Sequence, residues 1–246
     1  MTTYSYSRLN AFKSCPFAYK LSYLDRVPAP DRVELFTGKK VHETLEKLYS
    51  DLLQGKNNSL EELLAFHERQ WNAGWNNSIV VQEGAKAEDF RSHGENCVKN
   101  YYSSHAPFNH AQTVGVERKV FTKLGRHSFV GVVDRIASVE GKKEVHDYKT
   151  ASSLPSEDYF REDTQLPLYQ LALQRQFGWQ EVELVWDFVA LDREVRVKKS
   201  PASLEKAERD TVSLIEAVEE TVAEGDFEKN EGSQCRRCVY AKHCGK

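Results

Sequence analysis

A strand, a tight turn and a second strand, with two carboxylates and a lysine at set places, restrict this chain more than any other feature. Residues 129–139 read as one strand and 142–148 as the next, with Glu140-Gly141 as the turn between them. Folding this hairpin back on itself brings Asp134 beside Asp147. Side chains alternate faces along a strand, so Asp147 and Lys149 project together while His146 and Tyr148 point to the other face. Two carboxylates about 4 Å apart repel by roughly 4 kcal/mol at an effective dielectric of about 20. A divalent cation removes that repulsion, and hard oxygen ligands with open positions suit Mg²⁺ or Mn²⁺. A surface hairpin with solvated charges could carry the same residues, so the rest of the chain has to decide between the two.

Ahead of the hairpin the apolar period is helical. Residues 7–25 read as two short helices broken at Cys15-Pro16, because a residue before proline is biased out of helix. Val41, Leu45, Leu48 and Leu52 form the stripe of a helix over 34–53. Ser59 caps the next, over 60–75, and a third covers 84–104. The period then changes. Strands are expected at 113–122, 129–139 and 142–149, a helix at 164–177, and strands at 181–191 and 194–199. Ser200-Pro201 opens a last helix that Gly225 stops. This order predicts an α/β fold: a mixed sheet core flanked by helices, with an N-terminal helical insertion. No G-x-x-x-x-G-K-[ST] run occurs, so no P-loop motor is encoded here.

Net charge is −3, which argues against nucleic acid only if the charge is evenly spread. Residues 117–149 hold eight Lys/Arg against five Asp/Glu, whereas residues 200–231 hold three against ten. A mildly basic centre beside an acidic final helix suits weak, salt-sensitive contact with a phosphate backbone. No apolar run approaches the ~20 residues that span a bilayer, and the first residues lack the order of a secretory leader. No membrane partner and a cytoplasmic location are therefore expected.

Five cysteines, an odd number, speak against a complete disulfide framework. Cys97, alone in a helical stretch, reads as a small buried apolar residue. Cys235-x-x-Cys238 begins a metal or cluster site, and Cys244 is close enough to join it. The fourth ligand is either Cys15 from the far end or His243, the latter making a local Cys₃His zinc site. Recruiting Cys15 closes a loop of about 220 residues, worth on the order of 5 kcal/mol by analogy with disulfides.

The run Gly131-Val132-Val133-Asp134, followed by Val145-His146-Asp147-Tyr148-Lys149-Thr150, resembles the core of the PD-(D/E)xK nucleases, specifically their RecB-like branch. Gly38-Lys-Lys-Val-His42 resembles the branch's upstream helix, which contributes a histidine, and Gln165-Leu-Pro-Leu-Tyr169 resembles the helix after the catalytic strand. Tyr6-Ser7-Arg8-Leu9, Cys15-Pro16-Phe17-Ala18-Tyr19, Cys235, Cys238 and Cys244 are similar to the split cysteine set of many members. The bacterial AddB nuclease domain and the CRISPR adaptation nucleases share that set. Residues from about 50 to 112 carry no block of the resemblance.

The resemblance implies a restriction-endonuclease-like fold and metal-assisted hydrolysis of DNA, on single strands or ends, in repair, recombination or CRISPR spacer processing. It implies Asp134 and Asp147 as metal carboxylates, the Tyr148 carbonyl beside them, and His42 as a further ligand. Lys149 would orient water or stabilise charge on the phosphate. Gln165 would position the nucleophile or a backbone phosphate, and Tyr169, one turn later, would touch the strand. Glu117 matches a position often acidic in the family, which implies a supporting place outside the ligand set. The cysteine set implies a 4Fe–4S cluster on Cys15, Cys235, Cys238 and Cys244, with zinc as the other occupant.

By this reading residues 1–30 and 225–246 form the cluster region, 31–112 a helical segment carrying His42, and 113–224 the nuclease core. A helicase or CRISPR adaptation partner is implied, because relatives are fused to or work beside such proteins. The rival reading is a catalytically idle or partner-activated module that binds DNA or a helicase, and the intact Asp134, Asp147 and Lys149 argue against idleness. His42-Glu43 is not an H-E-x-x-H zincin, since position 46 is Glu. The aromatic residues crowding positions 4–23 among Arg8, Lys13 and Lys20 read first as packing around the cysteine region and second as a base-stacking surface.

Overall fold

The computed structural model describes residues 2–245. In chain order, strand β1 (Thr3–Tyr4) precedes helices α1 (Tyr6–Ser14) and α2 (Pro16–Tyr19), the latter widening into a π-turn at Lys20–Leu24. Helices α3 (Val33–Leu53), α4 (Leu60–Gly74) and α5 (Ala87–His105) follow, then strands β2 (Gln112–Leu124), β3 (His127–Val139) and β4 (Lys142–Lys149). Next come α6 (Glu157–Glu162), α7 (Gln165–Phe177), β5 (Val182–Phe188), β6 (Arg193–Val197) and α8 (Pro201–Glu224). Two 3₁₀ turns, Ser233–Arg237 and Ala241–Cys244, end the described chain. The chain divides into two compact units, one of residues 31–119 and 132–199 and the other of residues up to 30, 120–131 and from 200 on.

The larger unit is built around the β3–β4 hairpin. Glu140 and Gly141 both take positive φ, 50° and 87°, as a two-residue turn matching the twist of its strands requires. The strands pair from Val139↔Lys142 to Arg135↔His146. β4 then runs parallel to β5, from Lys143↔Val182 to Lys149↔Phe188, and β6 returns antiparallel. Parallel neighbours need a crossover, which α6 and α7 supply. The result is a mixed sheet covered by helices on both faces. In β4, Glu144 to Tyr148 are all buried, so no polar–apolar alternation survives. Tyr148 packs with Val41, Leu45 and Leu48 of α3 and with Cys97 and Tyr101 of α5. α7 packs on β4 and β5.

Two local signals hold in this unit. Ser59 and Glu62 form a reciprocal capping box that starts α4. Cys97 is fully buried, and burial pushes its thiol up to about 12. The helices themselves touch closely: the buried His67 of α4 contacts Thr44 Oγ1 of α3 at 3.1 Å.

In the smaller unit, β1 pairs parallel with the start of β3, Thr3↔Ser128 and Tyr4↔Phe129. α1 packs on α8, which Ser200 caps and Gly225 ends at φ 77°. Helix α1 stops at Cys15-Pro16, as expected. The aromatic N-terminal segment is packing: the Arg8 guanidinium donates to Tyr19 Oη at 3.0 and 2.9 Å and lies over the rings of Tyr4, Tyr19 and Tyr23. The last residues are laced to the first ones, Phe17 N–H donating to the Glu228 carbonyl at 3.0 Å and Asn230 Nδ2 to the Ser14 carbonyl at 2.9 Å.

Some elements depart from expectation. β1, α6 and the π-turn have two, six and five residues, too few for a hydrophobic period to show. Helix α5 begins at Ala87, three residues later than expected. β5 ends at Phe188 because Leu191 N–H turns back to the Phe188 carbonyl. No described helix is long and apolar enough to cross a membrane.

Candidate active site

The hairpin register carries Asp134 one step beyond the Arg135↔His146 pair, opposite Asp147. Its Oδ2 accepts the Tyr148 main-chain N–H at 2.8 Å. From α3, His42 places Nε2 2.9 Å from the Tyr148 carbonyl and Nδ1 3.5 Å from Asp134 Oδ2. A carbonyl and a carboxylate both only accept, so both ring nitrogens carry protons here. Burial alone would lower the imidazole's pKa; Asp134, helped by Asp147 and the Tyr148 carbonyl, outweighs it and raises His42 to about 9. Gly38 lies one turn earlier, where a Cβ would sit 3.4 Å from Thr150 Oγ1, so the helix passes close to the end of β4.

Asp147 is 4% exposed. Its Oδ1 accepts from Gln165 Nε2 at 3.2 Å, and Lys149 Nζ pairs with Oδ2. Burial raises the Asp147 carboxyl above its ordinary range; Lys149 counters this and Asp134 adds to it. For Lys149, burial would lower the ammonium, but Asp147 reverses the sign and holds it charged. Gln165 Nε2 also lies 3.2 Å from Tyr169 Oη, a phenol that burial pushes up to about 12. Asp163 Oδ2 accepts the Leu166 N–H at 3.2 Å and so holds the first turn of α7, from which Gln165 projects.

Glu117 of β2 is the residue that sequence reasoning underweighted. It takes φ 43°, a left-handed conformation costing a non-glycine residue on the order of 1–3 kcal/mol. Its carboxylate falls in one group with His42 and Asp134, with one ligand atom of each within 4.8 Å of the others. Burial first, and Asp134 second, push Glu117 up to about 7. Its sequence hints were an acid in mid-strand, which a solvated strand also carries, and a match to a position often acidic in the resembled family.

His42, Asp134, Asp147, Tyr148, Lys149, Gln165 and Tyr169 are thus all brought to one place at the end of β4. Carboxylates, an imidazole and a backbone carbonyl form a donor set that fits a hard divalent cation. His42 must lose a proton to join it.

Cys15, Cys235, Cys238 and Cys244 line one small, largely apolar cavity of the smaller unit. Burial raises the Cys244 thiol, and the other three cysteines add to the effect. Among the described residues, no three of these sulfurs lie within 4.8 Å of one another. His243 turns its ring edge-on to Tyr240.

Residues 3–245 match the sequence profile of the PD-(D/E)XK nuclease superfamily. No curated protein matches the chain. Among solved structures, a candidate exonuclease from Eubacterium rectale superposes with a TM-score of 0.60 at 12% identity, over 96% of this chain and 87% of that one. That likeness is one of fold. The protein SSO0001 (TM-score 0.35, 15% identity, 85% of this chain and 97% of that) and VC1899 from Vibrio cholerae (0.25, 15%, 88% and 58%) are too distant to add to it.

Proposed function

The chain belongs to the PD-(D/E)XK nuclease superfamily, and we propose that it is a Mg²⁺- or Mn²⁺-dependent DNA exonuclease of the RecB-like branch, acting on single strands or ends. The observation that carries this reading is that Asp134 and His42 meet at the Tyr148 backbone, between the paired Asp147 and Lys149 in the chain. Asp134, Asp147, His42 and the Tyr148 carbonyl would hold the cation. When bound, the cation polarises the scissile phosphate and lowers the pKa of a water.

The side chains do the rest. Lys149 is held charged beside Asp147, ready to stabilise negative charge building on the phosphate. Gln165, braced between Asp147 and Tyr169, can turn its amide to a water or to a phosphate oxygen. Tyr159 of α6 is part exposed and electrostatically coupled to Lys149, which suits it to meet the nucleic-acid strand.

In the smaller unit, the four thiols that line one cavity, with the resemblance of their spacing to the family's cysteine set, support a 4Fe–4S cluster on Cys15, Cys235, Cys238 and Cys244, with zinc as the alternative occupant. The cluster's part is structural, tying the first thirty residues to residues 225–246, with the helical segment at 31–112 and the nuclease core at 113–224 between them. Work in repair, recombination or CRISPR spacer processing, beside a helicase or adaptation partner, goes with this assignment.

The test is cleavage of end-labelled single-stranded DNA with Mg²⁺ or Mn²⁺, using anaerobically purified protein beside Lys149→Ala. Metal-dependent products that vanish in the variant support the reading, and the ladder from each labelled end gives the polarity. Absence of cleavage by folded, metal-loaded protein points instead to a binding module that a partner activates.

A further inference from the structure

The face of the sheet opposite Asp147 carries a second charged cluster that the nuclease chemistry does not use. Asp187 of β5 and Glu194 of β6 stand directly opposite each other in the antiparallel register. Like charges in that position destabilise a strand pair unless a cation lies between them. Asp187 is 2% exposed; its Oδ2 takes the His146 Nδ1 proton at 2.8 Å, while its Oδ1 is buried without a hydrogen-bond partner. A buried carboxylate oxygen left unpaired is costly, and it points to a missing ligand. Asp187, Glu194 and His105, the last residue of α5, line one cleft of about 270 Å³.

His105 is oriented as a metal ligand would be. Its Nδ1 lies 2.9 Å from the Tyr101 carbonyl and its Nε2 3.2 Å from Glu194 Oε1, both of which only accept, so Nδ1 is fixed as a donor and Nε2 must give up its proton for an ion to take its place. Fixing one ring nitrogen on a carbonyl while the other is offered to an ion is the usual support of a metal-binding histidine. Neighbouring cations reach Asp187 Oδ2 and Glu194, but no hydrogen bond reaches Asp187 Oδ1. His146 bridges Asp187 and Glu144, and Arg196 pairs with Glu144, Glu183 and Glu194. Arg193 lies at the cleft's exposed margin.

We infer that His105 Nε2, Asp187 Oδ1 and a Glu194 carboxylate oxygen form a second metal site, for one divalent transition-metal ion of the Mn²⁺ or Zn²⁺ type. One imidazole and two carboxylates suit such borderline ions. One ligand atom from each of the three residues already lies within 4.8 Å of the other two. A shared ion at about 2.0–2.2 Å from each needs only a modest contraction. The ion satisfies Asp187 Oδ1, cancels the Asp187–Glu194 repulsion and ties the end of α5 to the β5–β6 hairpin. Asp187 is also the register partner of Tyr148, so the ion braces the strand beside the nuclease centre. Its role is structural.

The test is titration with Mn²⁺ alone, followed by the paramagnetic signal of unbound ion, on the full chain carrying Asp134→Ala so that the nuclease centre lacks a ligand. About one equivalent of Mn²⁺ still binds and raises the melting temperature. Adding Glu194→Gln, or independently His105→Gln, weakens that binding by at least about tenfold and removes the thermal shift. Glu194 is exposed and His105 half-buried, so two separate variants guard against a folding defect in either. No binding to the Asp134→Ala protein, or equal binding after both further substitutions, overturns the inference.

Discussion

Asp134 is held by the backbone of Tyr148: its Oδ2 accepts the Tyr148 N–H at 2.8 Å, and the carbonyl of that same Tyr148 faces His42 at 2.9 Å. The carboxylate therefore has a structural duty as well as the proposed catalytic one, and two substitutions separate them. Asp134→Asn and Asp134→Ala both lower cleavage by at least about a hundredfold. Asn keeps an oxygen for the Tyr148 N–H, whereas Ala leaves that donor unpaired at a cost of about 1–3 kcal/mol. Denaturant melts beside nuclease assays check this; equal stability of the two variants, or full activity in either, contradicts it.

Lys149 is the counter-charge of a nearly inaccessible Asp147. Removing it in Lys149→Ala leaves Asp147 facing Asp134 with only the His42 charge to offset the repulsion. In EDTA the variant melts several degrees below the parent, since ~1 kcal/mol moves a domain of this size by about 2–4 °C. Added Mg²⁺ restores most of that loss but not cleavage. Unchanged melting in EDTA would show that the ion pair contributes nothing.

His42 gives a signed pH dependence in the metal-free protein. Its folded-state value of about 9 lies above the ordinary value of about 6.5, so the folded state binds the proton more tightly. The stabilisation is fully present below about pH 6.5 and is lost as pH rises through about 9. Across that window the melting temperature of the parent falls relative to His42→Gln, which has no such group. Mn²⁺ binding, which displaces the proton, tightens over the same window. Melting curves that run parallel for the two proteins contradict the pairing.

Gly94 of α5 faces the buried His67 ring. A Cβ there would lie 2.8 Å from His67 Nε2 and 3.3 Å from Thr37 Cγ2. Alanine returns up to about 1 kcal/mol of helix propensity. Overpacking a ring fixed against Thr44 costs about 1–3 kcal/mol. Gly94→Ala is therefore destabilising on balance, measured by urea midpoint, and a raised midpoint would mean that the three helices have room to separate.

The cysteine proposal is read by eye and by heat. Anaerobically purified protein carries the broad visible absorption of an iron–sulfur chromophore; Cys15→Ser bleaches it and lowers the melting temperature, while Cys97→Ser leaves the colour intact. A colourless parent with stoichiometric zinc overturns the cluster.

The amino-acid sequence alone determined what depends on neighbours along the chain. The Glu140-Gly141 turn sets the hairpin, and the hairpin sets Asp134 against Asp147, because a two-residue turn leaves one register open. Ser59 with Glu62, and Ser200 with Pro201, mark helix starts by chemistry completed within four residues. Cys97 was legible as buried because a lone apolar thiol in a helical stripe has nowhere else to go.

Tertiary structure decided what depends on residues far apart. The approach of α3 to the end of β4, which puts His42 against Tyr148 and Asp134, comes from packing across a hundred residues of chain. The sequence resemblance could name His42, but its distances follow from the helices it packs with. Glu117 joins His42 and Asp134 from a strand position with a backbone torsion of 43° that no glutamate announces. Asp187 and Glu194 become opposed only once β5 and β6 have paired. Local turn and cap energies are encoded within a few residues, whereas these three arrangements exist only when the whole sheet and its covering helices have closed around them.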